Sequence, residues 1–308
     1  MKYHLLKEHV MKNIDFAIIG GSYAGMSAAL QLARGRRNVL VVDAGQRRNR
    51  FVDEAGEVAH GFLTQDGRAP AEIAAIAKSQ LLAYPSVQWL DGTANNAHVA
   101  ANGRLEFKAG NEAISAGRLI IATGVRDMLP PVPGLAERWG RSVFHCPYCH
   151  GYEMNSGRIG IIAASPLAQH HAMMLPDWGS TTLFLNGAYL PNADELAAIA
   201  RRGTQVETAL IERIDGFADV VLKDGRTHTM DGLFTQPRTL MGSPMAEQLG
   251  CALEDSPMGV FIKIDEGKAT SVPNVFACGD AARVAGNVAL AVADGAVAAF
   301  SAHRSTMF

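Results

Sequence analysis

Ile14-Asp15-Phe16-Ala17-Ile18-Ile19-Gly20-Gly21-Ser22-Tyr23-Ala24-Gly25 is the stretch whose reading decides the fold. Residues 14–19 form the apolar run expected of a strand covered on both faces. A glycine-rich turn follows, then an Ala/Leu-rich helical stretch to Arg34, then a second strand, NVLVVD, at 38–43. Strand, turn, helix and strand make one βαβ unit. Gly20 permits the tight turn and Gly25 lets helix and sheet approach closely. The helix N-terminus at Ser22, Tyr23 and Ala24 offers backbone N–H groups to a pyrophosphate. Asp43 ends the second strand, where a carboxylate accepts hydrogen bonds from a ribose hydroxyl. Ser22 occupies the position where such a loop usually carries its second glycine; it is small, and its hydroxyl can donate.

Outward from this unit, Ile73, Ile76, Ala77 and Leu81 recur at helical spacing, with Pro70 suited to the first turn, and predict a helix over 69–84. Short alternating runs at 86–91, 94–100, 104–108 and 112–116 predict an antiparallel ribbon that feeds back into a parallel sheet at the apolar LIIA of 119–122. The pattern then restarts. Strand-like RIGIIA (158–163), a helical stretch 166–178, TTLFL (181–185), a helical stretch 193–202 and four short strand-like runs to Phe234 predict a second unit plus ribbon. SPMAEQLG (243–250) reads as a capped helix start, and GVFIKID (259–265), VFACGD (275–280) and an Ala-rich helix from Asn287 to His303 close the chain. The fold class is therefore α/β, with two Rossmann-like dinucleotide-binding domains.

The 308 residues are 48% hydrophobic, enough for two cores. Lys+Arg 28 against Asp+Glu 30 gives a net charge of −2, so no bulk attraction to nucleic acid or an anionic membrane is expected. The N-terminal MKYHLLKEHVMKN lacks the apolar run of a secretory signal, and no stretch reaches the ~20 apolar residues of a membrane span. A soluble cytoplasmic protein is the expectation.

Four cysteines are too few for a disulfide scaffold, yet two of them form His145-Cys146-Pro147-Tyr148-Cys149-His150 just before the second unit. A structural zinc needs four ligands, and no second Cys-x-x-Cys exists, so a redox-active disulfide is expected and no metal. Cys251 and Cys278 read as core residues. His150 follows the second cysteine, where an imidazole can take and return a thiol proton near neutral pH. For His145, His170 and His171 a packing or solvent role is expected.

Further motifs carry a resemblance. Thr270-x5-Phe276-Ala277-Cys278-Gly279-Asp280 resembles the second FAD fingerprint of the two-dinucleotide-domain flavoproteins, and Ala122-Thr123-Gly124 resembles the motif that closes their FAD domain. Together with the Cys-x-x-Cys in an inserted domain, the chain from Ile14 to Ala302 is similar to the low-molecular-weight thioredoxin reductases. The resemblance implies a discontinuous FAD domain, 1–116 plus 242–308, with the three-layer second domain, 117–241, inserted in it. It implies FAD in the first loop, Gly279 and Asp280 at its ribityl chain, and the helix start at Asn287, Val288 and Ala289 aimed at the flavin ring. It further implies that Ala94 meets the adenine through its main chain, that His60 borders the flavin, that Cys149 faces the flavin while Cys146 meets the substrate, and that the protein is a homodimer.

The sequence departs from those reductases in two places. Ala163-Ala164-Ser165-Pro166-Leu167-Ala168 stands where the second glycine loop should be, and Leu185-Asn186-Gly187-Ala188-Tyr189 lacks the arginines that hold the 2′-phosphate of NADPH. A Cβ at the first position opposes close backbone approach, and a proline removes a donor. Efficient use of NADPH is not expected. The CPYCHGYE segment resembles instead the dithiol oxidases of the gliotoxin, holomycin and romidepsin type. By that resemblance the protein oxidises a small or peptidic dithiol with molecular oxygen as acceptor. The competing readings are a disulfide reductase of a thioredoxin-like partner, fed by NADPH or ferredoxin, and a flavin redox sensor without turnover.

Overall fold

A computed structural model describes residues 11–308. The N-terminal segment read above for a secretory signal lies, through residue 10, outside the described residues. The chain divides into two compact units. One comprises the described residues through Arg48, Glu72–Arg126 and Leu240–Phe308; the other comprises Asn49–Ala71 and Asp127–Thr239. The expected boundary at 116/117 falls inside a single unbroken strand, Glu112–Ile121, whose second half is central to the first unit's sheet. Residues 49–71, which the resemblance assigns to the first domain, cluster with the second unit.

The first unit is built on a seven-stranded sheet in the order Val87–Asp91, Val39–Asp43, Lys12–Ile19, Glu112–Ile121, Leu105–Ala109, Ala94–Val99, with Val275–Ala277 also paired to Glu112–Ile121. Pairing is parallel from Val87–Asp91 through Glu112–Ile121 and at Val275–Ala277, and antiparallel in the ribbon. The run at 86–91 is thus not in the ribbon. It follows helix Pro70–Leu82, and a strand reached through a helical crossover joins its predecessor in parallel. Phe16 and Ile18 of the first strand pack on Ala28, Ala29 and Leu32 of helix Tyr23–Arg34, while Ala17 and Ile19 face Phe107, Leu119 and Ile121 on the other side. Each such large apolar side chain contributes about 1.5–3 kcal/mol when fully buried. Helix Val288–Arg304 lies against helix Tyr23–Arg34: a Cβ at Gly295 would run into the carbonyl of Ala24, and Ser27 Oγ donates to the Val292 carbonyl at 2.7 Å.

The second unit carries a five-stranded parallel sheet in the order Gln205–Glu207, Ser180–Phe184, Arg158–Ile162, Gly232–Thr235, Val143–Phe144. A three-stranded antiparallel sheet, Ile211–Asp215, Asp219–Leu222 and Thr227–Thr229, accompanies it. The helix expected over 166–178 is shorter, Ala168–Met174. A 3-10 turn, Leu175–Asp177, takes over because Pro176 cannot continue the α-helical hydrogen-bond ladder. Helix Ala193–Arg201 starts at a capping box: Asn192 Oδ1 accepts from Glu195 N at 3.0 Å, and Glu195 Oε2 accepts from Asn192 N at 2.7 Å. Among the described residues no helix is long and apolar enough to cross a membrane.

Candidate active site and cofactor cradle

In the first unit, Gly20 has φ +108°, and a Cβ there would collide with the Ala122 carbonyl; a Cβ at Gly25 would collide with the carbonyl of Gly20. Both glycines are therefore required for the first strand, helix Tyr23–Arg34 and the Ala122-Thr123-Gly124 turn to meet. Ser22 is the N-cap but makes no side-chain bond to the helix, and the first turn carries no acidic residue. Its N–H groups and positive dipole end therefore suit an anion. Asp43 Oδ1 accepts from Gly21 N and Gly45 N, both at 3.2 Å, which fixes the carboxylate beside the loop. Ala94, buried on its strand, sits just past Gly92, whose N–H donates to the Asp43 carbonyl at 2.8 Å.

The later motif closes on the same loop. Gly279 has φ +68°, and a Cβ there would stand 2.9 Å from the Ala24 Cβ. Asp280 pairs with Arg48 at 3.0 Å. Helix Val288–Arg304 begins at Asn287, whose Oδ1 accepts from Leu290 N at 2.8 Å, so Val288 and Ala289 form its first turn. Thr123 Oγ1 is buried without a hydrogen-bond partner. A glycine cradle, an uncapped helix start, a fixed carboxylate and an orphaned hydroxyl fit the pyrophosphate, ribose and polar linker of a dinucleotide such as FAD. Arg48 lies in the Arg47-Arg48-Asn49-Arg50 run, which matches no motif; its pairing with Asp280 across the unit is a tertiary contact with no local signal.

In the second unit, strand Val143–Phe144 delivers the chain into a single helical turn, Pro147–His150, with Cys146 as its extended N-cap. Cys146 and Cys149 are joined as a disulfide with Cα atoms 5.3 Å apart. Gly151 ends the turn against Trp178: a Cβ there would lie 2.5 Å from the Pro147 carbonyl oxygen and 2.9 Å from the indole. Tyr148, between the cysteines, is 75% exposed and meets Trp178 edge-on at 5.5 Å. His150 stacks on Phe144, centroids 4.0 Å apart and planes 13° from parallel. Both its ring nitrogens are buried without a hydrogen-bond partner. Burial first, and then the nearby His60, pull its pKa down to about 4, so the ring is neutral at pH 7. His60 belongs to this unit, where its Nε2 lies 3.3 Å from Glu153 and its Nδ1 3.6 Å from Asp66. Cys251 and Cys278 are both buried; burial raises both thiols, that of Cys278 to about 12, which keeps it protonated.

His171 is 2% exposed and packs edge-on against Phe234, which in turn tilts on Phe144. Its expected packing role holds. Burial, with a smaller effect of His170, pulls its pKa down to about 4 against the opposing effect of a hydrogen bond that its ring donates to the His145 backbone. The unfolded chain regains an ordinary imidazole and binds the proton that the folded one refuses. Stability therefore falls as pH drops from about 6.5 toward 4, by about 3 kcal/mol from this residue. Denaturant melts across that range should show the slope in the native chain and a shallower one in His171→Gln; equal slopes would refute the assignment.

At the second loop, Ala164 and Pro166 are exposed while their neighbours are tied into the unit. Ala163 is buried and continues the sheet by donating to the Phe184 carbonyl at 3.0 Å, and Ser165 Oγ accepts from Leu167 N at 3.3 Å. Past strand Ser180–Phe184, Asn186 Oδ1 accepts from Ile211 N at 2.9 Å. Arg226 is held by Glu207 and Asp224, which His228 joins through Glu207 at 3.4 Å.

Two Rossmann-like units, one with a glycine cradle that fits a dinucleotide and one with the Cys146–Cys149 disulfide, have the organisation of a disulfide oxidoreductase. The family description Pyridine nucleotide-disulphide oxidoreductase matches residues 14–295. The chain belongs to that family, as a thioredoxin reductase-like member. A solved oxidoreductase from Agrobacterium tumefaciens is 55% identical, with a TM-score of 0.92 over 97% of this chain and 99% of its own. Thioredoxin reductase tcpT of Claviceps purpurea (strain 20.1) is 34% identical over 92% of each chain. Thioredoxin reductase sirT of Leptosphaeria maculans is 31% identical over 91% of this chain and 90% of its own.

Proposed function

We propose that the protein is an FAD-dependent dithiol oxidase that closes a disulfide in a small or peptidic dithiol. The observation that carries this reading is the pairing of an intact Cys146–Cys149 disulfide and its neutral neighbour His150 with a second loop in which Ala163 and Pro166 replace the nucleotide-binding pattern. His150 takes a proton from the first substrate thiol, and the thiolate attacks Cys146 Sγ, breaking the disulfide with its electron pair on Cys149. The second substrate thiol attacks the sulfur of the first, Cys146 leaves, and the substrate disulfide is released. Bound FAD would supply the two-electron acceptor for the reduced pair and the route to oxygen, giving hydrogen peroxide. Gly20, Ser22, Tyr23, Ala24, Gly25, Asp43, Ala94, Ala122, Thr123, Gly124, Gly279, Asp280, Asn287, Val288 and Ala289 are the residues assigned to hold it.

Anaerobic titration tests this. Dithiothreitol should bleach the flavin, and NADPH at micromolar concentration should not. Rapid bleaching by NADPH would favour the second reading, an NADPH-fed disulfide reductase, which the names of the two fungal relatives support.

A further inference from the structure

Gly21 is a glycine that the phosphate-loop pattern does not ask for: it stands between Gly20, which makes the turn, and Ser22, where the second glycine would fall. Its φ is not in the left-handed region, so conformation does not demand a glycine either. Room does. A Cβ at Gly21 would lie 2.4 Å from Trp89 Cη2, 2.6 Å from Trp89 Cζ2 and 2.7 Å from Asp43 Cβ. The benzene edge of the indole therefore rests on the loop backbone, at the residue whose N–H donates to Asp43 Oδ1 at 3.2 Å. The sheet brings Trp89 there. Strand Val87–Asp91 pairs in parallel with Val39–Asp43, with Val41 opposite Trp89 and Asp43 opposite Asp91. Trp89 packs against the core that holds Ile18, Leu32, Leu81 and Val87. Two further neighbours fix the ring. Its Nε1 donates to Asp91 Oδ1 at 2.9 Å, and the Lys78 ammonium of helix Pro70–Leu82 stands 4.0 Å from the ring centroid and 3.7 Å from the same carboxylate oxygen. A large planar side chain, held by core, carboxylate and ammonium, is thus set against two consecutive glycines, the residues with the most conformational freedom to lose.

We propose that Trp89 is a positioning residue of the cofactor cradle, whose indole holds Gly21 beside Asp43 and so keeps the loop in shape for the adenosine diphosphate half of FAD. This role rests on the cradle holding FAD, as in the reading above, and not on what the disulfide acts upon. An unheld Gly20-Gly21 pair must be ordered when the pyrophosphate arrives, and the cost of that ordering is subtracted from the affinity. A loop ordered beforehand avoids the loss. Phenylalanine at position 89 separates holding the loop from filling the core. It keeps an aromatic ring on the apolar cluster and beneath the ammonium, but lacks the outer benzene edge that reaches Gly21.

The test uses the full chain stripped of flavin and titrated with ADP, which carries no flavin and so cannot quench tryptophan by energy transfer. Of the 3 tryptophans, Trp139 and Trp178 belong to the other unit. ADP should change the tryptophan emission of wild type and of Trp178→Phe, and leave that of Trp89→Phe unchanged. The calorimetric Kd for ADP and for FAD should rise about tenfold in Trp89→Phe and Trp89→Leu, and by less in Lys78→Met, which loosens the ring without removing it. Stripped Trp89→Phe should melt with stripped wild type, so that its lost affinity is not a lost fold; should Trp89→Leu not fold, Trp89→Phe still decides. Affinities of Trp89→Phe within about twofold of wild type, or an ADP-dependent emission change that survives in it, would overturn the role of Trp89 and leave the cradle standing. Wild type that binds neither ADP nor FAD would remove the cradle reading itself, and the role of Trp89 with it.

Discussion

On the proposed oxidase reading, replacement of Cys146 by serine is expected to lower dithiol-dependent oxygen uptake by at least ~1000-fold, because it deletes the sulfur that the proposed exchange attacks. A serine hydroxyl cannot form a disulfide, and no other thiol of the chain can substitute. Cys251 and Cys278 are buried, with thiols raised by burial, that of Cys278 to about 12. Thiolate is the attacking form, so neither offers an alternative nucleophile. Cys149→Ser should be equally inactive, since either substitution leaves one thiol and no disulfide to reduce. Both variants should keep the bound flavin, because the cysteines belong to Asn49–Ala71 and Asp127–Thr239 and the glycine cradle to the other unit. The measurement is oxygen consumption with dithiothreitol, paired with flavin absorbance per protein. Residual uptake above a tenth of wild type in either variant would refute a disulfide mechanism.

The second large effect is expected at the cradle. Gly25→Val should yield protein purified with less than a tenth of the normal flavin content. The new Cβ would collide with the Gly20 carbonyl and press on Ile18 Cγ2 at 3.3 Å. Neither obstacle can yield cheaply: one is backbone in a turn at φ +108°, the other belongs to a fully buried side chain. Helix Tyr23–Arg34 must move off the sheet, which turns the N–H groups of its first turn away from where a pyrophosphate would lie. Overpacking of this kind costs about 1–3 kcal/mol, and the stabilisation that a tightly bound cofactor adds is lost as well. Thermal melting of wild type stripped of flavin separates the two contributions. A Gly25→Val protein that retains stoichiometric flavin would refute the assignment of the cradle.

Arg48 and His60 show where the reading of motifs stops. Each lies outside any motif recognised for its present contact, and each finds its partner far along the chain: Arg48 meets Asp280, and His60 meets Glu153. The stack of His150 on Phe144 is close in sequence yet equally unpredictable. It depends on strand Val143–Phe144 taking the edge of the parallel sheet, a pairing with Gly232–Thr235 some ninety residues later.

By itself the sequence determined the local pieces. Gly279-Asp280 was legible only through its resemblance to a family motif, whereas the apolar run before Gly20, the tight turn over residues 20–25 and the Cys146–Cys149 spacing act through the backbone within a few residues of themselves. Steric and hydrogen-bonding rules of short range are enough to read them. Only the tertiary structure decided that 87–91 joins the parallel sheet, that 49–71 clusters with the second unit, and that His60 meets Glu153 in the turn after the cysteine helix. These depend on which apolar faces bury one another across long stretches of chain. That burial is non-directional and leaves no mark at any single position.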